Sequence, residues 1–159
     1  MDVIRGYKAF HNMQGRNGTS YEVGETYTTD EPIEYQKSGY HFCERIEDVL
    51  RYYDGFRDDI NICLVEGSGV IDTYNDEYNE YFDMHSVSRL TILKELTRDE
   101  IINTVIKENI YSIKRFIAGF KLTEKEINEI SDEFKEEIIR DYIDYYQNDD
   151  REAFSRKRR

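Results

Sequence analysis

"VSRLTILKELTRDEIINTVIKENI", residues 87–110, changes its hydrophobic period halfway, and that change decides the fold class. Up to Leu96, β-branched residues and leucines alternate with polar ones and read as a strand. Thr97-Arg98-Asp99-Glu100 then forms a capping box, in which the Thr hydroxyl and the Glu three residues on satisfy free backbone N–H groups at a helix start. Beyond it Ile101, Ile102, Val105 and Ile106 recur at spacings of three and four, the period of one helix face.

Upstream of this switch the segments are short and punctuated by glycine. VIRGYKAF, YEVGETYTT, GYHFC and INICLVEGSGVI read as further strands, and GRNG, SG and YDG as turns between them. One helix interrupts the series, because Ile46, Val49, Leu50 and Tyr53 make an apolar face opposed by acids. Downstream, the helical period persists through Ile110, Ile113, Phe116, Ile117 and Phe120, with Gly119 as a helix end. A second capping box at Thr123-Glu124-Lys125-Glu126 opens another run through Ile127, Ile130, Phe134, Ile138, Tyr142 and Tyr145. The expected architecture is α+β. A mostly antiparallel sheet with one short helix fills residues 1–96, and three or four helices with a basic tail fill 97–159. The single proline, Pro32, falls in an early loop, and no linker or internal repeat is visible.

The 159 residues suffice for one domain with a substantial core. No apolar run reaches the roughly 20 residues of a membrane span, and MDVIRGYKAF lacks the basic and apolar regions of a leader, so a cytoplasmic protein is expected. Cys43 and Cys63 lie in separate strands and read as reduced core residues, and the three histidines are too far apart in sequence to form a metal motif. No phosphate loop is present, since EGSGV lacks the following lysine.

Charge is the strongest global feature. Thirty-four acids against 22 bases give a net charge of −12, with 12 acids and three bases between Glu44 and Asp83, and 12 acids and four bases between Glu124 and Glu152. The terminal SRKRR has the opposite sign. Such a surface repels nucleic acid and attracts cationic proteins. Two groups of acids are candidate partner-binding residues: Asp76, Glu77, Glu80 and Asp83 before the last strand, and Glu129, Asp132, Glu133, Glu136, Glu137, Asp141 and Asp144 on the helices. At helical spacing these charges stand about 5 to 6 Å apart. That is comparable to the phosphates of one nucleic-acid strand, so they can occupy a basic groove that normally holds DNA or RNA. A well-solvated surface is the alternative reading of the same acids.

The ordered set RGYKAF, YEVGETY, SGYHFCERIEDVLRYY, CLVEGSGVI and LTILKELTRDEI resembles a family of short uncharacterised domains of phages and prophages, over residues 5–102. That resemblance implies a mobile-element setting in the cytoplasm of an infected or lysogenic bacterium. In that setting a small acidic protein without an evident catalytic set looks like an inhibitor of host defence, anti-CRISPR proteins being the commonest class. Its expected partner is a basic host protein or nuclease complex, with no cofactor and no metal. A homodimer through the helical half is a further expectation.

Part of the chain is also similar to the diphtheria-toxin-like ADP-ribosyltransferases. Gly39-Tyr40-His41-Phe42-Cys43, the helix to Tyr53, Leu64-Val65-Glu66 and Asn79-Glu80-Tyr81 follow that family's order. This resemblance implies an enzyme using NAD, with Tyr7 and His41 around nicotinamide and ribose and Glu80 as the catalytic carboxylate. It departs from the pattern in two places, because His41 stands where the family has tyrosine and Tyr7 where it has histidine. A strand histidine bonded to its neighbours and a solvated loop carboxylate are the other readings of His41 and Glu80.

Overall fold

The computed structural model describes residues 2–15, 18–34, 37–50, 60–75, 83–134 and 137–147. Among these, the strands are β1 (Ile4–His11), β2 (Thr26–Thr28), β3 (Tyr40–Cys43), β4 (Ile60–Asn75) and β5 (Asp83–Glu95), with α1 (Ile46–Leu50) between β3 and β4. After β5 come α2 (Arg98–Glu108), α3 (Ile110–Gly119), α4 (Glu124–Glu133) and α5 (Glu137–Gln147). The architecture is α+β, with an antiparallel N-terminal sheet and a helical C-terminal region, as the change of period predicts.

The sheet closes on itself. β4 and β5 form a long antiparallel pair from Cys63↔Glu95 to Asn75↔Asp83, and β1 lies along the other edge of β4 from Ile4↔Gly67 to His11↔Ile60. β3 then pairs with β5 from Tyr40↔Val87 to Cys43↔Met84 and touches β1 at Tyr7↔Cys43. Each of β1, β3, β4 and β5 therefore has neighbours on both edges, giving a four-stranded ring that β2 extends along β5 at Thr26↔Thr91 to Thr28↔Arg89. Register shifts at Leu64/Val65 and Ser68/Ile71 supply the bend that such tight closure demands.

Period-2 alternation sorts the side chains into two cores. Phe10, Phe42, Cys63, Val65, Val87, Leu90 and Ile92 fill the ring with Tyr21, whereas Ala9, Cys43, Ile62 and Met84 face outward into a second cluster shared with the helices. Consecutive buried pairs such as Ala9-Phe10, Phe42-Cys43 and Ile62-Cys63 show why INICLV has no polar face: both sides of the strand are covered. Space inside the ring is minimal. A methyl group at Gly6 would strike the Cys43 carbonyl oxygen, and one at Gly67 would strike the Phe42 ring.

The helices cover the outer face. Ile101, Ile102 and Val105 of α2, Ile113, Phe116 and Ile117 of α3, Ile130 of α4, and Ile139 and Ile143 of α5 all join the outer cluster. The 96/97 boundary thus marks a change of period within one shared core. Asn109, with extended backbone, separates α2 from α3, and its side chain caps α3 by accepting from the Ser112 N–H at 2.9 Å. α3 does end at Gly119, with Phe120 N–H donating to the Phe116 carbonyl at 3.0 Å. Gln147 ties α5 to that end, donating to the Ile117 and Phe120 carbonyls at 2.7 and 3.0 Å and accepting from Leu122 N–H at 2.8 Å. Both expected capping boxes form, at Thr97/Glu100 and Thr123/Glu126.

Several boundaries differ from the sequence expectation. Only Thr26–Thr28 of residues 21–29 is strand, because Gly24 adopts φ +91° and Tyr21 turns inward to pack on Phe10 at 4.8 Å. β4 and β5 each extend beyond INICLVEGSGVI and VSRLTILKEL towards the hairpin tip, since each continues to pair with the other. Helix α1 is described to Leu50, so the part of the expected helix that reaches Tyr53 lies outside the described residues.

Arg98 clamps the helical layer. Its guanidinium donates to Glu126 Oε2 and Oε1, both at 3.3 Å, and to the Lys121 carbonyl at 2.5 Å, and it lies over the Phe116 and Phe120 rings. Burial raises the Glu126 carboxyl pKa, but the Thr123 amide and Arg98 hydrogen bonds outweigh it and hold the group below its ordinary value. A depressed carboxyl contributes stability above its unfolded pKa and loses it as pH falls through the folded value. Glu126→Gln keeps the capping box and removes the ion pair. It is expected to cost about 1 kcal/mol at neutral pH, with the difference from wild type shrinking as pH falls from about 5 towards 3, read by urea unfolding. Gly6→Ala is expected to cost about 2 to 3 kcal/mol in the same assay, because strand backbone must move.

Candidate functional site

Tyr7 and His41 project from the same, outer face of the ring. Tyr7 is directly opposite Cys43, and His41 lies two residues before Cys43 on the same strand. Tyr7 packs against the outer core, half-buried, and burial followed by the nearby Glu108 carboxylate raises its phenol pKa. The His41 carbonyl accepts from Lys8 Nζ at 2.5 Å, and the residue pairs in register with Ser86. Glu80 lies outside the described residues. The structure therefore brings two members of the transferase-like trio to one face, and what surrounds Tyr7 there is helix and carboxylate.

A buried polar cluster adjoins Tyr7 where α1 meets the α2–α3 junction. Glu108 accepts from the Ile46 and Glu47 N–H groups at 2.9 and 3.3 Å and so caps α1 from another element. Glu47, itself buried, accepts from Asn109 Nδ2 at 3.2 Å and has Arg115 Nε at 3.8 Å. The sealed Ser112 hydroxyl donates to Glu108 Oε2 at 3.0 Å. The donors and acceptors satisfy one another, so this cluster fastens α1 to the helical layer. Its sequence signal was slight, because Glu47 and Glu108 look like any other helical acids until the helices are docked.

A second polar cluster lies on the opposite, inner side of the sheet. His85 on β5 is 4% exposed, tilted 40° against Phe42 at 5.3 Å between ring centroids, and its Nδ1 is 2.8 Å from the Thr73 hydroxyl of β4. Its Nε2 is 3.4 Å from Glu44 Oε1. Sequence could not single out this trio, since Thr73 and His85 become neighbours only through the β4–β5 register. No group of three metal-ligating side chains occurs among the described residues.

The acids named from sequence fall into three sets. Asp76, Glu77 and Glu136, like Glu80, lie outside the described residues; Asp83 opens β5 and Glu137 opens α5, both placed by backbone. Glu129, Asp132 and Glu133 are exposed on α4, and Asp141 and Asp144 are exposed on α5, opposite the buried Ile139 and Ile143. Lys125 is 3.8 Å from Glu129, whereas Asp132, Glu133, Asp141 and Asp144 make no ion pair with any described residue. Tyr145, 56% exposed, stands beside Asp141 and Asp144 on α5.

These features define an α+β protein in which a closed antiparallel ring carries a helical layer, with two polar clusters in its walls and, on its last helices, carboxylates that no described residue pairs. A family model described as a domain of unknown function (DUF7666) matches residues 4–104, and the chain belongs to that family. No match was found among the curated proteins or among the solved structures. The matched span holds the ring, α1 and the start of α2, and with them Tyr7, His41, Glu44, Thr73 and His85. Glu108 and the helices α3 to α5 lie beyond it.

Removing the remote cap of α1 tests the structural role of the first cluster. Glu108→Ala is expected to destabilise the fold by about 1 to 2 kcal/mol and to speed hydrogen exchange at the Ile46 and Glu47 amides, while exchange within α5 stays as in wild type.

Proposed function

We propose that this chain is an acidic binding protein of phage or prophage origin that inhibits a host nucleic-acid-handling defence complex, as anti-CRISPR proteins do, by occupying a basic surface. The observation that supports this reading best is the set of exposed carboxylates on α4 and α5, Asp132, Glu133, Asp141 and Asp144, for which no described residue provides a cation. Their helices are held from behind by buried Ile130, Ile139 and Ile143, so the charges are presented on a fixed support. Exposed Tyr145 adds a ring of the kind enriched at binding hot spots. With a net charge of −12, association with a cationic groove is fast and weakens steeply with salt. The setting is the cytoplasm of the infected or lysogenic host, and neither cofactor nor membrane enters the reading.

An NAD-using ADP-ribosyltransferase, active or degenerate, is the second reading. Its one supporting observation is the common face of Tyr7 and His41. Glu108 beside Tyr7 weighs against it, because a dinucleotide bound there would bring its pyrophosphate towards a carboxylate.

The two readings separate in one set of assays. Purified CRISPR effector complexes are mixed with the chain and assayed for guide-directed DNA binding at low and high salt. Inhibition that falls about tenfold or more in the Asp132→Asn, Glu133→Gln, Asp141→Asn, Asp144→Asn quadruple variant, and is unchanged in His41→Ala, supports the inhibitor. NAD cleavage that Glu80→Gln abolishes would replace it with the enzyme. Full inhibition by the quadruple variant would remove these four carboxylates from the mechanism.

A further inference from the structure

We propose that Thr73 is an activated hydroxyl, the nucleophile of a Thr73–His85–Glu44 relay on the inner side of the ring, and that it accepts an acyl group from a small activated ester. Three observations converge on it. Thr73 is an exposed residue, while the His85 it pairs with at 2.8 Å is 4% exposed, so the nucleophile belongs to a surface residue and its base is shielded. Among the described residues, the far nitrogen of that imidazole has no hydrogen-bond partner in good geometry and has one charged neighbour, the Glu44 carboxylate at 3.4 Å. The Glu44 side chain is 41% exposed. Cross-strand register sets His85 opposite Thr73, and the Phe42 ring packs against the imidazole.

This is the order hydroxyl, imidazole, carboxylate by which a weak nucleophile is activated, with the two ring nitrogens exchanged relative to the serine proteases. With Nε2–H directed at Glu44, Nδ1 carries the lone pair and faces the Thr73 hydroxyl. The step balances without a further reactant. Thr73 Oγ1 forms a bond to the ester carbonyl carbon as its proton passes to Nδ1, and Glu44 steadies the imidazolium. The tetrahedral adduct then breaks its bond to the leaving oxygen, which takes the imidazolium proton and leaves His85 neutral. The products are an acyl-threonine ester and the free alcohol or phenol. Two other nucleophiles among the described residues lack one of these elements: Ser112 is sealed among carboxylates, and burial together with Glu95 pushes the Cys63 thiol up to about 12.

The test uses the full chain and p-nitrophenyl acetate near neutral pH, with p-nitrophenolate release followed by absorbance and the acetylated residue located by tandem mass spectrometry. One acetyl group on Thr73 is expected. Labelling should disappear in Thr73→Val and persist in Thr73→Ser, slow about 100-fold in His85→Gln and about tenfold in Glu44→Gln, with circular dichroism confirming that each variant is folded. Since Thr73→Val and Thr73→Ser leave His85 in place, the comparison survives even a His85 variant that does not fold. Acetyl groups on lysines or tyrosines alone would overturn the proposal and leave an inert cross-strand hydrogen bond. So would Thr73 labelling at wild-type rate in folded His85→Gln.

Discussion

The structure depends on one closure, the meeting of β1 and β3 at Tyr7↔Cys43. Without it β4–β5 is a long hairpin with β1 on one edge and β3 on the other, and Phe10, Phe42 and Val65 have no common interior. Closure brings backbone against backbone so tightly that Gly6 has the Cys43 carbonyl where a side chain would start, and Gly67 has the Phe42 ring. These are requirements of space. Neither glycine is among those with positive φ. The edges of β1 and β3 that would otherwise invite pairing with another chain meet in the ring itself.

Once the ring is closed, its outer face is an apolar surface that must be covered, and α1 to α5 do this with one continuous cluster. Three polar devices hold the helices in place: Glu108 capping α1, Arg98 joining α2 to Glu126 and the Lys121 carbonyl, and Gln147 closing the end of α3. Each joins residues more than 20 positions apart, so each acts only after the helices have docked. Several carboxylates of this very acidic chain are spent in this way. Asp132, Glu133, Asp141 and Asp144 stay exposed on α4 and α5.

The division between family-matched and unmatched parts bears on function. The ring, with its Thr73–His85–Glu44 cluster, lies within residues 4–104, and the exposed acidic rows lie after it. A reaction at the ring and a binding role for the last helices are thus separable, and each is open to variants that leave the other untouched. The transferase resemblance stands differently. It rests on the order of short motifs along the strand segments, and in three dimensions Tyr7 meets Glu108, which belongs to none of those motifs.

Local signals in this chain were legible from residue order alone. The α+β class, the change of period at Leu96, both capping boxes and the apolar helix faces follow from periodicities of two and 3.6 and from hydrogen bonds that span three residues. Which strand completes the ring, which glycine lacks room, and which acids are buried were decided only in three dimensions. Those outcomes depend on pairings such as Thr73↔His85 and on contacts such as Glu108 to Ile46, 62 residues apart. The physical reason is that a carboxylate or imidazole carries its chemistry in its surroundings. Glu126 and Glu129 are the same residue three positions apart on one helix, yet one is clamped by Arg98 in the core and the other is exposed to solvent.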